Sequence, residues 1–260
     1  MKEYSFLHAL YLSFFSRQFY YDVISRWKGT GLAYLAALLA LCTLPGVMKM
    51  QADVSTYINR EAAMYIRQLP LITISKGELS ISEPEPYIIK DEKTGDPFMI
   101  IDTTGSMNSL RGSKAMVLFT KRTIVLGRDG HESRTFNLSD FGDKVVIDRG
   151  SAFDFMDSFV ETFPFIYYPV SLFFSWLLNT LLAVLYAVFG GMVARGTGAS
   201  LDFKSLVRLA AVSLTPVLLS GALLTLAGVA VPFWWLVSVI TPLGYITYAV
   251  KSIPLPDVKG

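Results

Sequence analysis

The stretch Thr162–Ala194, TFPFIYYPVSLFFSWLLNTLLAVLYAVFGGMVA, contains no Asp, Glu, Lys, Arg or His. A helix rising about 1.5 Å per residue needs roughly 20 consecutive apolar residues to cross the ~30 Å hydrocarbon of a bilayer. This stretch is longer than that, so it must tilt or begin outside the hydrocarbon. Pro164 and Pro169 lie near one end, where an interrupted first turn costs little. Tyr167 and Tyr168 beside them suit the aromatic belt at a membrane interface.

Two further uncharged stretches flank this one. Thr30–Met48 is rich in Leu and Ala and just long enough for one span. Its apolar core is too long for a cleaved signal peptide and no clean small-x-small site follows, so it is expected to be a retained signal anchor. Leu209–Val250 is about twice the length of a span, and Gly228 and Pro232 punctuate its middle. It divides into two helices, 209–228 and 232–250, with Trp234 and Trp235 at the interface. The sequence therefore predicts four spans, at 30–48, 162–194, 209–228 and 232–250. Composition agrees: 52% of the residues are hydrophobic and only 17% charged, against about 25% charged in soluble domains.

Charge orients the spans. Residues 1–29 carry Lys2, Arg17, Arg26 and Lys28 against Glu3 and Asp22; the 195–208 loop carries Arg195, Lys204 and Arg208 against Asp202; the 251–260 tail carries Lys251 and Lys259 against Asp257. Four spans put these three basic segments on one side, the cytoplasm by the positive-inside rule, with Arg17, Arg26, Lys28, Arg195, Lys204 and Arg208 as interfacial cations. Residues 49–161, with 14 basic and 17 acidic groups, then form an extracytoplasmic domain. The single cysteine, Cys42, rules out an intramolecular disulfide, so that domain must stand on its own core.

Within 49–161, Asp53–Leu69 has an amphipathic helical stripe ended by Pro70. Strands are expected at Leu71–Ser75 and Glu78–Ser82 around a Lys76-Gly77 turn, then at Tyr87–Lys90, Phe98–Asp102, Ala115–Phe119, Thr123–Leu126, Ser133–Phe136 and Val145–Ile147, with a turn at Asp129-Gly130. Ser151 with Asp154 forms a capping box that opens a helix leading toward the second span. The expected fold is an all-α four-helix transmembrane bundle with an inserted small α+β domain built on an antiparallel sheet. At the other end, residues 4–27 interleave aromatics with Arg17 and Arg26 at helical spacing. Such an arm can lie in the lipid interface or pack on its own bundle, and periodicity does not separate the two.

Candidate chemistry is sparse. Asp102-Thr103-Thr104-Gly105-Ser106 fits the D-x-[ST]-x-S pattern that holds Mg²⁺ in von Willebrand A-type domains, which makes Asp102, Thr104 and Ser106 the metal candidates. The bland reading is a strand ending in a polar turn. The glycine-containing loop Arg195–Ser200 lacks the Lys-Ser/Thr of a phosphate loop. Two histidines and one cysteine give no Cys/His cluster. No catalytic residue, cofactor or nucleic-acid surface is expected, which makes the chain non-enzymatic. No ionisable residue lies well inside a span, unlike most ion-coupled transporters. The polar positions within the spans are Ser175, Asn179, Thr180, Ser213, Thr215 and Ser220, with Pro216 and Gly221 alongside. They suit helix packing or a polar membrane path.

The run Phe14-Phe15-Ser16, Phe19-Tyr20 and Trp27-Lys28-Gly29 ahead of a span resembles the start of the bacterial DUF1189 membrane proteins. Ile74–Leu79, Pro86–Ile89 and Ile100–Thr103 resemble the same family, and the likeness covers nearly the whole chain. Phe203–Arg208 with Ser213 and Pro216 is similar to Yip1-type membrane domains, over the last three spans. The first resemblance implies a fold and no reaction, although some members carry a maltodextrin-utilisation label; the second implies a membrane adaptor. Together they imply a bacterial plasma-membrane protein acting as an accessory or scaffold subunit of an envelope complex, linked to sugar transport through that label. Its partners would be the lipid bilayer and envelope proteins, and a homo-oligomer is compatible with the chain. The alternatives are a small-molecule or lipid transporter with a polar path near Asn179, and an ectodomain enzyme or metal module around Asp102.

Overall fold

A computed structural model describes residues 4–128 and 131–252. Lys2, Glu3, the Asp129-Gly130 turn, Asp257 and Lys259 lie outside the described residues. The chain forms two compact units, Met1–Gln51 with Phe163–Gly260, and Ala52–Thr162.

The first unit is helical. Two short helices, α1 (Phe6–Leu12) and α2 (Arg17–Ser25), precede α3 (Leu32–Tyr57); α5 (Arg149–Gly196), α6 (Phe203–Ser213), α7 (Thr215–Leu226) and α8 (Trp234–Val250) follow the other unit. Ser16 caps α2, its Oγ accepting from Phe19 N at 3.2 Å, and Asp202 caps α6 by accepting from Ser205 N. Among the described residues, three helical segments are long and apolar enough to cross a membrane: Leu32–Ile66, Arg149–Gly196 and Phe203–Leu226. The fourth apolar helix, Trp234–Val250, has 17 residues, or about 25 Å, near the lower limit for a span.

Three helix boundaries differ from the sequence reading. The third segment begins at Phe203, not Leu209, so Arg208 belongs to the helix and not to the loop. It also bends at Leu214, after which Pro216 opens α7, a position where its missing N–H costs nothing. In α5 the cap is Asp148: its Oδ1 accepts from Ser151 N at 2.7 Å while Ser151 Oγ accepts from Asp148 N at 2.9 Å. This is the reciprocal capping box, set three residues earlier than Ser151/Asp154. The helix then runs unbroken to Gly196, so Pro164 and Pro169 are interior to it.

Residues 205–213 of α6 are all buried, and they form the middle of the core with Phe19, Tyr20 and Val23 of α2, Leu35 and Leu39 of α3, and Ala249 and Val250 of α8. Ala183, Ala187, Gly190 and Ala194 are the buried small residues of α5. A Cβ on Gly190 would stand 2.9 Å from Ile246 Cγ2, so the α5–α8 approach depends on that glycine. The arm is thus packed on its own bundle through α2.

The second unit carries the end of α3, a π-helical turn (Ile58–Ala62), α4 (Ala63–Ile66) and eight strands: β1 Ile72–Ser75, β2 Glu78–Ile81, β3 Tyr87–Lys90, β4 Pro97–Asp102, β5 Val117–Thr120, β6 Thr123–Arg128, β7 His131–Asn137 and β8 Lys144–Ile147. The expected strand positions recur, but the single antiparallel sheet does not. There are two sheets, ordered β2-β1-β8 and β3-β4-β5-β6-β7, and β4 pairs with β5 in parallel. The physical reason is the 103–116 crossover, which carries the chain back along β4 before β5 starts. Lys76 and Gly77 both have positive φ, 51° and 76°, which is the tight hairpin geometry the β1–β2 turn requires. Alternation along β4 sends Ile101 into a core with Ile72, Ile74, Leu79 and Leu138, and Ile100 into a second one with Leu110, Ala115, Leu118 and Val125.

Candidate functional site

Uncharged polar side chains gather inside the helical unit around a cleft of about 520 Å³ between α3, α5, α7 and α8. Ligand sites are commonly of this size. The α5 wall is a stripe of Ser171, Ser175, Asn179, Leu182 and Tyr186, spaced three or four residues apart and so on one helical face. Thr43 and Cys42 face it from α3, Thr225 from α7 and Ser238 from α8, with Val47, Leu218 and Trp234 completing the apolar surface. Among the described residues, no Asp, Glu, Lys, Arg or His lines it.

Most of these polar groups are already bonded within their own helix. Ser171 Oγ donates to Tyr168 O at 2.9 Å, Thr43 Oγ1 to Leu39 O at 2.8 Å and Thr225 Oγ1 to Gly221 O at 2.9 Å. Tyr186 OH donates across to Val239 O at 3.2 Å. Asn179 is different. Its Nδ2 donates to Ser175 O at 2.8 Å, while its Oδ1 has no hydrogen-bond partner among the described residues. The cleft therefore offers an open acceptor beside hydroxyls that can accept a second bond.

The sequence candidates separate. Ser175 and Asn179 line the cleft with Gly221, whereas Pro216 and Ser220 line a different, more apolar groove with Leu223, Trp234 and Val237. Thr215 Oγ1 pairs with Tyr34 OH at 2.7 Å inside the core. Thr180 Oγ1 and Ser213 Oγ are buried and have no hydrogen-bond partner among the described residues. The sequence reading missed Thr43, Ser171, Tyr186, Thr225 and Ser238. The four-residue spacing of Ser171, Ser175 and Asn179 was the available signal for the α5 part.

Residues 7–250 match a family described as protein of unknown function (DUF1189). The chain belongs to DUF1189. No curated protein and no solved structure matches it.

In this DUF1189 chain the extra-bundle candidates resolve as follows. Asp102 ends β4 fully buried. Its Oδ1 accepts from Thr104 N at 2.9 Å and Thr104 Oγ1 at 2.6 Å, its Oδ2 accepts from Met107 N, and Ser106 Oγ pairs with Thr104 Oγ1. Burial pushes the Asp102 carboxyl up, but the bonds from Thr104, Met107 and Gly105 outweigh it and hold it below the usual carboxylate range. The trio Asp102, Thr104 and Ser106 does converge, but the carboxylate is spent on organising its own loop. Glu85 continues the arrangement, accepting from both Thr103 N and Thr103 Oγ1. Among the described residues no group of three His, Cys, Asp or Glu converges as a metal site. Among the described residues there is also no α-helix between β1 and β8 of the kind the von Willebrand A fold alternates with its strands.

The cations divide too. Arg17, Arg26, Lys28, Arg195 and Lys204 are exposed. Arg17 stands over the Tyr248 ring, 5.2 Å from its centroid, and Arg26 pairs with the buried Asp22 at 3.5 Å. Arg208 is only 5% exposed. Its place in the sequence suggested an interfacial cation, but it points inward to the end of α2.

Proposed function

We propose that this DUF1189 chain is a non-enzymatic, four-span plasma-membrane protein of a bacterium that receives an uncharged amphiphile, a small molecule or a lipid, in the cleft at Asn179. Both termini would be cytoplasmic and residues 49–161 extracytoplasmic. The observation that supports this reading is the cleft itself: a cavity of about 520 Å³ with hydroxyls, one open amide oxygen and no charged side chain. A charged ligand would lose its hydration there without gaining a partner, at a cost of several kcal/mol. A neutral one with a hydroxyl or amide donor would complete Asn179 and place its apolar part on Val47, Leu218 and Trp234. The test is extraction of the protein purified in mild detergent, followed by mass spectrometry, for the native chain and Asn179→Leu. A molecule retained by the first and lost from the second supports the reading. An identical set of retained molecules from both overturns it.

The extracytoplasmic unit favours a second role, as an accessory or scaffold subunit of an envelope complex. Its edge strands expose large apolar side chains, Ile88 on β3, Phe136 on β7 and Val146 on β8. Unpaired strand edges with apolar side chains are ready surfaces for another protein. Recovery of the chain alone after cross-linking in intact cells would argue against this role.

A further inference from the structure

A second cavity lies where α5 turns into α6. It measures about 700 Å³, opens to the surface, and is lined by the last turns of α5, the 197–202 loop and the first turns of α6. Val188 and Met192 of α5 and Phe203 of α6 give it apolar walls, and these residues stay 48%, 65% and 53% exposed. Leu206 forms part of the floor beside Gly191, where a Cβ would already stand 3.3 Å from Leu206 Cδ1. Among the described residues lining it, Arg195 alone is charged.

Among the described residues the Arg195 guanidinium makes no ion pair and no side-chain hydrogen bond. The acid nearest in sequence, Asp202, caps α6 by accepting from Ser205 N and makes no ion pair with Arg195 among the described residues. The loop N–H groups of Thr197, Gly198 and Ala199 are also engaged, returning to carbonyls of Val193, Ala194 and Arg195. What remains is an unpaired cation at one end of an open apolar groove, on the side of the bundle whose loop carries a net positive charge.

We propose that this groove binds one anionic phospholipid, with its phosphate on Arg195 and an acyl chain along Val188, Met192 and Phe203. The inference rests on the membrane reading above. The charge selects an anion, and the groove selects an anion with an apolar tail, which a free phosphate lacks. One cation–phosphate contact at a membrane surface gives a preference of about five-fold over a neutral headgroup.

The experiment uses the full chain in nanodiscs of phosphatidylglycerol and phosphatidylcholine with identical acyl chains, and counts retained lipids by native mass spectrometry. The native chain is expected to retain one phosphatidylglycerol with about that five-fold preference. Arg195→Gln is expected to abolish the preference, and Val188→Trp to reduce it by filling the groove without changing charge. Lys204→Gln, an exposed cation outside the groove, should leave it intact. Equal selectivity in Arg195→Gln, an equal loss in Lys204→Gln, or displacement of the lipid by millimolar glycerol phosphate would each overturn the proposal. Fractionation of the chain without detergent would instead sink the membrane reading, which separates the two failures.

Discussion

The Arg208 side chain donates from Nε to the carbonyl oxygen of Val23 at 2.7 Å. Its Nη2 donates to Ile24 O at 2.8 Å and to Ser205 Oγ at 2.8 Å, and its Nη1 to Gly29 O at 2.7 Å. Val23 and Ile24 are in the last turn of α2, where carbonyls have no partner within the helix. One guanidinium thus closes the end of α2, with the favourable sign of charge for a helix C-terminus, and fixes the following turn to α6. Gly31 completes the junction: it has φ +76°, and a Cβ there would meet Arg208 Cα at 3.1 Å.

Replacing Arg208 with Leu should release the arm. The buried carbonyls of Val23 and Ile24 would lose their donor, each costing about 1–3 kcal/mol, and the carbonyl of the exposed Gly29 would lose a part-buried bond. Arg208→Lys would restore one contact at most, because an ammonium lacks the planar fork. Hydrogen exchange in detergent is the measurement. Amides of 20–25 should lose protection in both variants while those in α5 keep theirs. Unchanged protection of α2 in Arg208→Leu would show that the apolar contacts of Phe19, Tyr20 and Val23 hold the arm by themselves.

Gly46 gives a way to fill the cleft without disturbing the fold. It lines the cleft from inside α3, and a Cβ there meets nothing within 4 Å. Gly46→Leu should therefore occupy cleft volume and also remove a helix-interior glycine, a gain of about 0.5–1 kcal/mol on propensity. The expected result is loss of any retained ligand with an equal or higher melting temperature. A lower melting temperature would mean that the volume is not open.

The Asp102 loop predicts an acid-sensitive 52–162 unit. Its carboxyl is held below the usual range in the fold, so its stabilising contribution is complete above the unfolded value of about 3.9 and is lost as pH falls through the folded value. Asp102→Ala should destabilise the 52–162 unit at neutral pH, by leaving the N–H groups of Thr104 and Met107 without acceptors, and should flatten the loss of stability below about pH 4. Thermal melts from pH 3 to 7 test this. Parallel curves for the two proteins would remove Asp102 from the account.

The legibility of the sequence followed the range of the interactions. Turns and caps act within a few residues, so the Lys76-Gly77 hairpin and the strand positions could be read directly, and even the α5 capping box was misplaced by only one turn. Charge-free length is equally local, and it exposed the long apolar helices. The parallel β4–β5 pair was not legible, because nothing within 103–116 announces which neighbour β5 will choose. Arg208 was not legible either. A basic residue next to a loop looks interfacial until α2, far away in sequence, supplies carbonyls with no other donor. In the cleft, Asn179 stood out because an amide is rare in an apolar helix, while Thr43 and Thr225 are hydroxyls bonded back to their own helices, with no sequence pattern that marks them.

Sidedness is open to direct measurement. In a Cys42→Ala background, Asn108→Cys sits on the exposed 103–116 crossover and Ser200→Cys on the exposed loop before α6. An even number of crossings before Ser200, as in the four-span reading, puts position 200 on the side of the N-terminus and position 108 on the opposite one. A membrane-impermeant maleimide applied to intact cells should label the Asn108→Cys protein at once and the Ser200→Cys protein only after permeabilisation. A third variant, Ser252→Cys, tests the short helix: if Trp234–Val250 crosses, it behaves like Ser200→Cys. Labelling of position 252 in intact cells, with position 200 protected, would reduce the count to three crossings and leave α8 lying at the outer interface.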